Sequence, residues 1–448
     1  MQLIYKQIIP VLILTTATTD YTVAQVKSLS LKEAYAIAFK ANRQLLINKV
    51  EELKAESAVA EAKTFLSPNV AATGNYSFFA EKPVIFLRDE NSPKVVQDIK
   101  VGGSNSFSAA VVAAYPIINP VVKSKIRTAG INQKLQRKKT EDVESDIALE
   151  IGQQYLNVLF YKEQLALLKQ SLERNERALK DSRSLFQQGK SLKTDTLQNY
   201  IAVQNINASI SALQNNIDVQ LLQLKQLLAL DEKEKIELID SLNPTVNYGL
   251  LQTKEALLEV ALNNRNDVKI HMLRMDVGRE QLEGVKAEFR PNLTAVGSYQ
   301  LQSQSDKFSF WNYNIPRTSF AGLQLNVPIY AGNRKQSKIK LQDYSKLQDE
   351  IMLEDLKGKI RTELNSLLSK VEEAYNQNKI QEQNVKAADI SYRMIKDRYQ
   401  FGMSSRLELT DAELALTQAR INALETVYNI RILELQLEKA LGLLKLTS

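Results

Sequence analysis

Glu408 and Asp411 stand three residues apart, the spacing that puts two side chains on one face of a helix, just past the glycine of Tyr399-Gln-Phe-Gly-Met-Ser-Ser-Arg-Leu-Glu-Leu-Thr-Asp411. Two carboxylates on one face can gather cations, or complement the positive end of a helix as first-turn acids. Hydrolysis by a carboxylate pair needs a pocket around it, and the flanking pattern supplies none. Composition removes other catalytic constellations: the 448 residues include one histidine and no cysteine. That leaves no His/Cys metal site and no Ser-His or Cys-His nucleophile pair. The histidine, His271, lies in a helical pattern two residues after Lys269 and reads as structural. Neither an enzyme nor a cofactor is expected.

The same stretch occurs earlier as Phe186-Gln-Gln-Gly-Lys-Ser-Leu-Lys-Thr-Asp195, and an offset of 213 residues lays Gly189 on Gly402, Phe186 on Tyr399 and Asp195 on Glu408. Each glycine sits between two long helical patterns, where a turn needs it. Other pieces repeat as well. Leu31-Lys-Glu-Ala34 returns as Thr253-Lys-Glu-Ala256, Asn42-Arg43 as Asn264-Arg265, Phe65-Leu-Ser-Pro68-Asn69 as Phe289-Arg-Pro291-Asn292, and Tyr115-Pro116-Ile117 as Val327-Pro328-Ile329. A period this long excludes a solenoid of short units and indicates a duplicated large unit. The expected organisation is a secretory signal over 1–24, a first repeat over 25–230, a linker over 231–249 and a second repeat over 250–448. The signal is read from Lys6, the apolar run Ile8 to Leu14, and the small residues ending at Ala24.

Gly 15 and Pro 10 are low for this length, and 44% hydrophobic with 24% charged residues fits long amphipathic helices. No later stretch approaches the roughly 20 apolar residues of a membrane helix. The net charge of +7 is spread, and clusters such as Lys134, Arg137, Lys138 and Lys139 read as a solvated helix face. Nucleic-acid binding is not expected.

Each repeat opens with a helix, about 30–66 and 252–289, and then changes period. Val70, Ala72, Gly74, Tyr76 and Phe78 alternate with Asn69, Ala71, Thr73, Asn75 and Ser77. Similar alternation runs through 106–115, 292–301 and 320–327, so four strands are expected, paired as hairpins over 68–116 and 291–330 with loops at 81–104 and 303–317. Strands of this length, tilted, cross a bilayer core. Aromatics gather at their ends: Phe65, Phe289, Tyr115 and Tyr330 on one side, Phe78, Phe79, Phe308, Phe310 and Trp311 on the other, as in interfacial girdles. Soluble hairpins with one buried face are the other reading of the alternation.

Heptad spacing then runs from Ile147 to Phe186 and from Ile360 to Tyr399, the mark of coiled-coil packing. Helices over 121–188 and 333–401 at about 1.5 Å per residue would each be roughly 100 Å long. The tips fall at 186–196 and 399–411, and a partner helix returns after each. Four lipid-facing strands cannot leave open edges in hydrocarbon. Several chains must share one barrel, and three would give an even-stranded one.

The two-fold repeat, the hairpins bounded by Pro68, Pro116, Pro291 and Pro328, the run Val327-Pro-Ile-Tyr-Ala-Gly-Asn-Arg334 and the tip spacing together resemble the TolC family of outer-membrane efflux proteins, over almost the whole mature chain. The resemblance implies a mainly α fold with a transmembrane β part: a homotrimer with a twelve-stranded barrel and an α-helical periplasmic tunnel. It also implies an outer-membrane location among lipid, and docking to a periplasmic adaptor (membrane fusion) protein and an inner-membrane pump of RND or ABC type. The family's acidic entrance ring falls on Glu408 and Asp411, with Asp195 and Tyr399 beside the same opening, and its docking tips on Gly189, Ser191, Leu192, Gly402, Ser404, Ser405 and Leu407. Glu408 stands where Asp is usual. Ser404 replaces the family's basic residue, with Arg406 nearby, so the familiar link between helices is not expected in its usual form. The reading from another class is a periplasmic coiled-coil scaffold or adhesin without a channel.

Overall fold

The computed structural model describes residues 27–88, 95–242, 253–308 and 315–446. The expected signal, Phe310, Trp311 and the end of the expected linker lie outside them. The elements run β1 (Lys27–Leu29), α1 (Leu31–Ala41), α2 (Arg43–Thr64), β2 (Asn69–Phe78), β3 (Val84–Arg88), β4 (Val95–Lys100), β5 (Asn105–Ile118), α3 (Pro120–Gln187), α4 (Lys193–Leu227), β6 (Ile236–Leu238), α5 (Lys254–Asn264), α6 (Asn266–Ala287), β7 (Asn292–Ser305), β8 (Arg317–Asn326), α7 (Arg334–Gln400) and α8 (Arg406–Ala440). Two compact units divide them. Among the described residues one takes in 27–38, 151–242 and 384–428, the other 39–88, 95–150, 253–308, 315–383 and 429–446.

The unit containing the sheet is built on strand order β2-β5-β7-β8, antiparallel throughout. Its register sorts side chains by chemistry. Tyr76 pairs with Phe107, Ala72 with Val111, Val111 with Tyr299, and Ala295 with Leu323 on one face. Asn75 pairs with Ser108, Ser108 with Gln302, and Gln300 with Thr318 on the other. The apolar face is bare: Val70, Phe78, Leu323 and Leu325 are 64–69% exposed, which in water would be a large uncompensated apolar patch. Among the described residues, strands β2 and β8 each pair on one side only, so both edges stay open.

Several expectations need correction here. The segment 81–104 is not a plain loop, because β3 and β4 form their own hairpin within it; the short run Val84-Ile-Phe-Leu-Arg88 lacks the alternation that marks a strand in sequence. Pro116 does not close its strand. Strand β5 continues to Ile118 across a register irregularity between Pro116 and Ile118, where a residue without an N–H interrupts the ladder. The single helices expected over 30–66 and 252–289 are each two. Asn42 ends the first piece by leaving helical geometry, and its Oδ1 accepts from the Leu45 N–H at 3.1 Å, a side-chain N-cap. In the second copy the break falls on Arg265 (φ −58°, ψ 133°), one residue later than the Asn42 alignment implies.

Arg265 earns its place by other means. Its guanidinium reaches Asp267 at 2.9 Å, Glu363 at 2.8 Å and the Ala440 carbonyl at 3.2 Å. It thereby ties the α5–α6 break to α7 and to the end of α8, beside a core of Leu257, Ala261, Val268, Ile360, Leu364 and Leu437. Gly442 closes α8 with φ +71°; a Cβ there would stand 2.7 Å from the Arg265 backbone nitrogen.

In the other unit, β1 and β6 pair in parallel, a pairing that two three-residue strands do not announce in sequence. Fully buried Tyr155 of α3 donates from its hydroxyl, which lies 2.8 Å from both the Leu29 carbonyl and Asp240 Oδ2. Burial, then the Asp240 carboxylate, raise its phenol above the usual range. Ile151, Val158 and Leu179 on α3 and Val203, Ile210, Leu213 and Ile217 on α4 are buried, at the 3–4 spacing of helices packing side by side.

Candidate entrance at the helical tips

Both tips end a long helix in the same way. The Gly189 N–H donates to Phe186 O at 2.9 Å and the Lys190 N–H to Leu185 O at 2.8 Å. The Gly402 N–H donates to Tyr399 O at 3.0 Å and the Met403 N–H to Arg398 O at 2.8 Å. These are paired reverse bonds of the Schellman type, and φ of +72° and +71° at the glycines explains the residue type. Nothing lies within 4 Å of a Cβ built on either glycine, so conformation and not crowding selects it.

The next helices start differently. At α4 the Leu192 N–H donates to Asp195 Oδ2 at 3.3 Å, so this acid caps its own helix. At α8 the Ser405 hydroxyl accepts from the Glu408 N–H at 3.2 Å, and the Ser404 hydroxyl bonds the Glu408 carboxylate. The Ser404 hydroxyl, with a backbone bond from Ser405, holds the Glu408 carboxyl below the usual carboxylate range. Glu408 and Asp411 are both exposed, one turn apart on the same face of α8. That face is opposite the one burying Arg406, Leu409, Ala412, Glu413 and Leu416. Leu192, Leu407, Met403 and Phe401 are 59–77% exposed around the two turns, while Ser191 turns back, its hydroxyl donating to Ser182 O at 3.4 Å. Tyr399 is half-buried, its ring 5.6 Å from the Arg406 guanidinium.

Beneath these turns lies a polar layer that heptad reading passes over. Arg406 Nε donates to Asn199 Oδ1 at 2.8 Å, and Asn199 Nδ2 to Ala178 O at 3.3 Å, joining α8 to α4 and α4 to α3. Arg406 Nη2 is buried without a hydrogen-bond partner among the described residues. Further along, Glu413 accepts from Arg174 Nε at 2.9 Å and Asn175 Nδ2 at 3.1 Å, and Arg174 Nη2 donates to Thr417 Oγ1 at 3.2 Å. Burial pushes the Glu413 carboxyl up, against the opposing pull of Arg174. The two hairpins are thus cross-tied by an ion pair and an Arg–Asn bond. Their sequence signal was Arg406 itself, plus the polar residues Asn175 and Ser182 standing at heptad positions. Among the described residues no His, Asp or Glu cluster could hold a metal, and no helix is long and apolar enough to cross a membrane.

An edge-open sheet with one apolar and one polar face, joined to two long helical hairpins, defines a subunit of an outer-membrane channel. The family model described as outer membrane efflux protein matches residues 34–230 and 257–443, and the chain belongs to that family. It is 22% identical to the outer membrane protein TolC of Escherichia coli strain K12, covering 98% of this chain and 87% of that protein. To the proteases secretion protein PrtF of Dickeya chrysanthemi it is 21% identical, covering 93% and 88%. Among solved structures, CusC superposes with a TM-score of 0.72 at 18% identity over 92% of each chain. The open state of the Neisseria gonorrhoeae MtrE outer membrane channel gives 0.69 at 15% identity, over 93% of this chain and 90% of that one. The protein is an outer-membrane efflux channel of TolC type, a transport protein and not an enzyme.

Proposed function

We propose that three copies of this chain close one twelve-stranded barrel and that their helical hairpins meet at a gated inner mouth. Substrate then leaves the cell passively when a periplasmic adaptor and an inner-membrane pump of RND or ABC type are docked. The observation that carries this is the sheet: four strands, both edges open, one face apolar and the other rich in Asn, Ser, Thr and Gln. In lipid such edges must be paired, and a second copy's β2 and β8 are the matching edges. The two faces suit lipid and a wet lumen, which supports a channel over a coiled-coil scaffold or adhesin.

Glu408 and Asp411 are the gate residues in this reading, with Asp195 and Tyr399 beside them. Three-fold symmetry brings six exposed carboxylates to one opening, which favours cations and binds multivalent ones. Gly189, Ser191, Leu192, Gly402, Ser404, Ser405 and Leu407 form the surface offered to the adaptor, and the exposed Leu192 and Leu407 suit an apolar partner tip. Pro68, Pro116, Pro291 and Pro328 mark the passage between strand and helix, and the two repeats over 25–230 and 250–448 supply matching hairpins. The test is reconstitution in planar bilayers. Trimers conducting cations with block by a multivalent cation, and loss of that block in the Glu408→Gln, Asp411→Asn double variant, are expected. Unchanged block in the variant would remove the gate assignment, and monomers without conductance would remove the channel.

A further inference from the structure

On β2 and β5, one level of the apolar sheet face carries only Gly74 and Ala109, beside a level that carries aromatic rings. Gly74 pairs with Ala109, Ala109 with Leu301, and Leu301 with Arg317, so these four stand side by side across β2, β5, β7 and β8. One level nearer the strand ends that face away from α2 and α3 come Tyr76 and Phe107, ring centroids 4.7 Å apart, with Phe308 edge-on to Tyr76 at 6.0 Å. One level the other way come Ala72, Val111, Tyr299 and Ser319. Between the Gly74 and Tyr76 levels opens a groove of about 390 Å³ lined by Gly74, Tyr76, Phe107, Ala109, Leu301 and Ile315, with the polar Asn75, Ser108, Gln302 and Ser303 also contributing.

The fold does not require its floor to be bare. A Cβ on Gly74 would meet nothing within 4 Å, and its φ lies outside the left-handed range. The rim, by contrast, is fixed. The Tyr76 hydroxyl donates to Asn105 Oδ1 at 2.9 Å, and Asn105 Nδ2 donates to Ser305 O at 3.3 Å. At the β8 end of this row, next to Leu301, Arg317 places a cation on the same face, and among the described residues its side chain has no hydrogen bond or ion pair.

We propose that this groove is a lipid site, taking one acyl chain of a phosphorylated glycolipid of the outer leaflet with a headgroup phosphate on the Arg317 guanidinium. It rests on the reading that the apolar face meets lipid and that the strand ends away from the helices lie at the outer surface. An aromatic belt marks the depth at which headgroups meet hydrocarbon. A gap in that belt one side chain wide admits a chain where the ring neighbours would exclude it. The guanidinium supplies a planar donor pair matched to phosphate oxygens. A zwitterionic lipid offers the same phosphate next to a cancelling ammonium, so a multiply phosphorylated headgroup complements the site better.

Native mass spectrometry of the complete detergent-solubilised protein tests this, using bisphosphorylated lipid A, phosphatidylglycerol and phosphatidylethanolamine as probes. Wild type is expected to retain lipid A over both others. Gly74→Leu and Arg317→Gln should each cut that retention about tenfold, the equivalent of about 1.4 kcal/mol, with the assembly state unchanged. Gly322→Leu, on the polar face, should not. Equal retention of phosphatidylglycerol, or retention unmoved by the Gly74 and Arg317 variants, overturns the site. A single cysteine introduced as Leu323→Cys in this cysteine-free chain separates the two readings. Quenching of a fluorophore there by acyl-chain quenchers, without lipid A selectivity, sinks the site alone; no quenching sinks the lipid-facing assignment with it.

Discussion

Replacing Glu413 by methionine removes a buried carboxylate, about 4% exposed, while nearly keeping its volume. The change strips Arg174 Nε and Asn175 Nδ2 of their shared acceptor. Breaking a buried ion pair from one side costs about 3–5 kcal/mol, because the other charge is left uncompensated. Arg174 keeps its bond to Thr417 and 22% of its side-chain surface in water, which sets the expectation at the low end, about 3 kcal/mol. Arg174→Met alone leaves Glu413 buried with only Asn175 and should cost about as much. The double variant removes both charges, and a buried pair replaced by apolar residues of similar volume is often neutral or stabilising. The order of stability should therefore be wild type and double variant together, with both single variants well below. The assay is guanidinium-induced loss of helical circular dichroism at fixed protein concentration, with open probability in planar bilayers as a second readout. Because the pair joins α3 to α8, the single variants should also raise the open fraction and the double variant should restore part of it. A double variant whose loss equals the sum of the two singles would refute the coupling, and with it the view that this pair ties the hairpins.

Other outcomes follow from the same geometry. Gly402→Ala puts a Cβ at φ +71° with open space around it, so the cost is conformational, about 1 kcal/mol by thermal melting. Gly442→Ala has the same φ but meets the Arg265 backbone at 2.7 Å, and a Tm drop larger than that of Gly402→Ala is expected. Asn42→Ala removes the cap of α2 and should cost about 1 kcal/mol, read in the same melts. Glu408 has a depressed carboxyl pKa in the folded chain, so the interaction stabilising its charge is present above the ordinary value of 4.5 and lost as pH falls through the lowered one. In an Asp411→Asn background, cation block should therefore persist below pH 4.5; block already lost at that pH would contradict the Ser404 contact. Glu413 runs the other way: its raised pKa means the burial penalty on its charge is absent below 4.5 and grows as pH rises through the folded value.

Much of the architecture is legible from period and punctuation. The switch from the opening helix to alternation located the four long strands to within a few residues, and the glycine-centred tips fell where α3 meets α4 and α7 meets α8, because local geometry alone selects glycine at φ near +70°. What escaped were features whose partners lie far away in the chain. The β1–β6 pairing joins two three-residue strands about two hundred residues apart, too short for any periodic signal. Asn42 and Arg265 occupy nearly equivalent places in two copies, yet one breaks its helix with a local cap and the other through Glu363 and Ala440. Asn175 and Glu413 look like blemishes or surface charge until α3 and α8 are set side by side.

The sequence by itself determined the membrane-spanning alternation, the repeated hairpins, the turns and the acidic pair at α8, since each depends on residues a few positions apart. Tertiary structure alone decided which polar residues are buried as cross-ties and which stay exposed. Glu413 and Glu408 lie five positions apart on one helix, but one is buried against Arg174 while the other is exposed, with the Ser404 hydroxyl on its carboxylate. Only packing between helices sets the dielectric and the partner that separate a buried structural carboxylate from an exposed one.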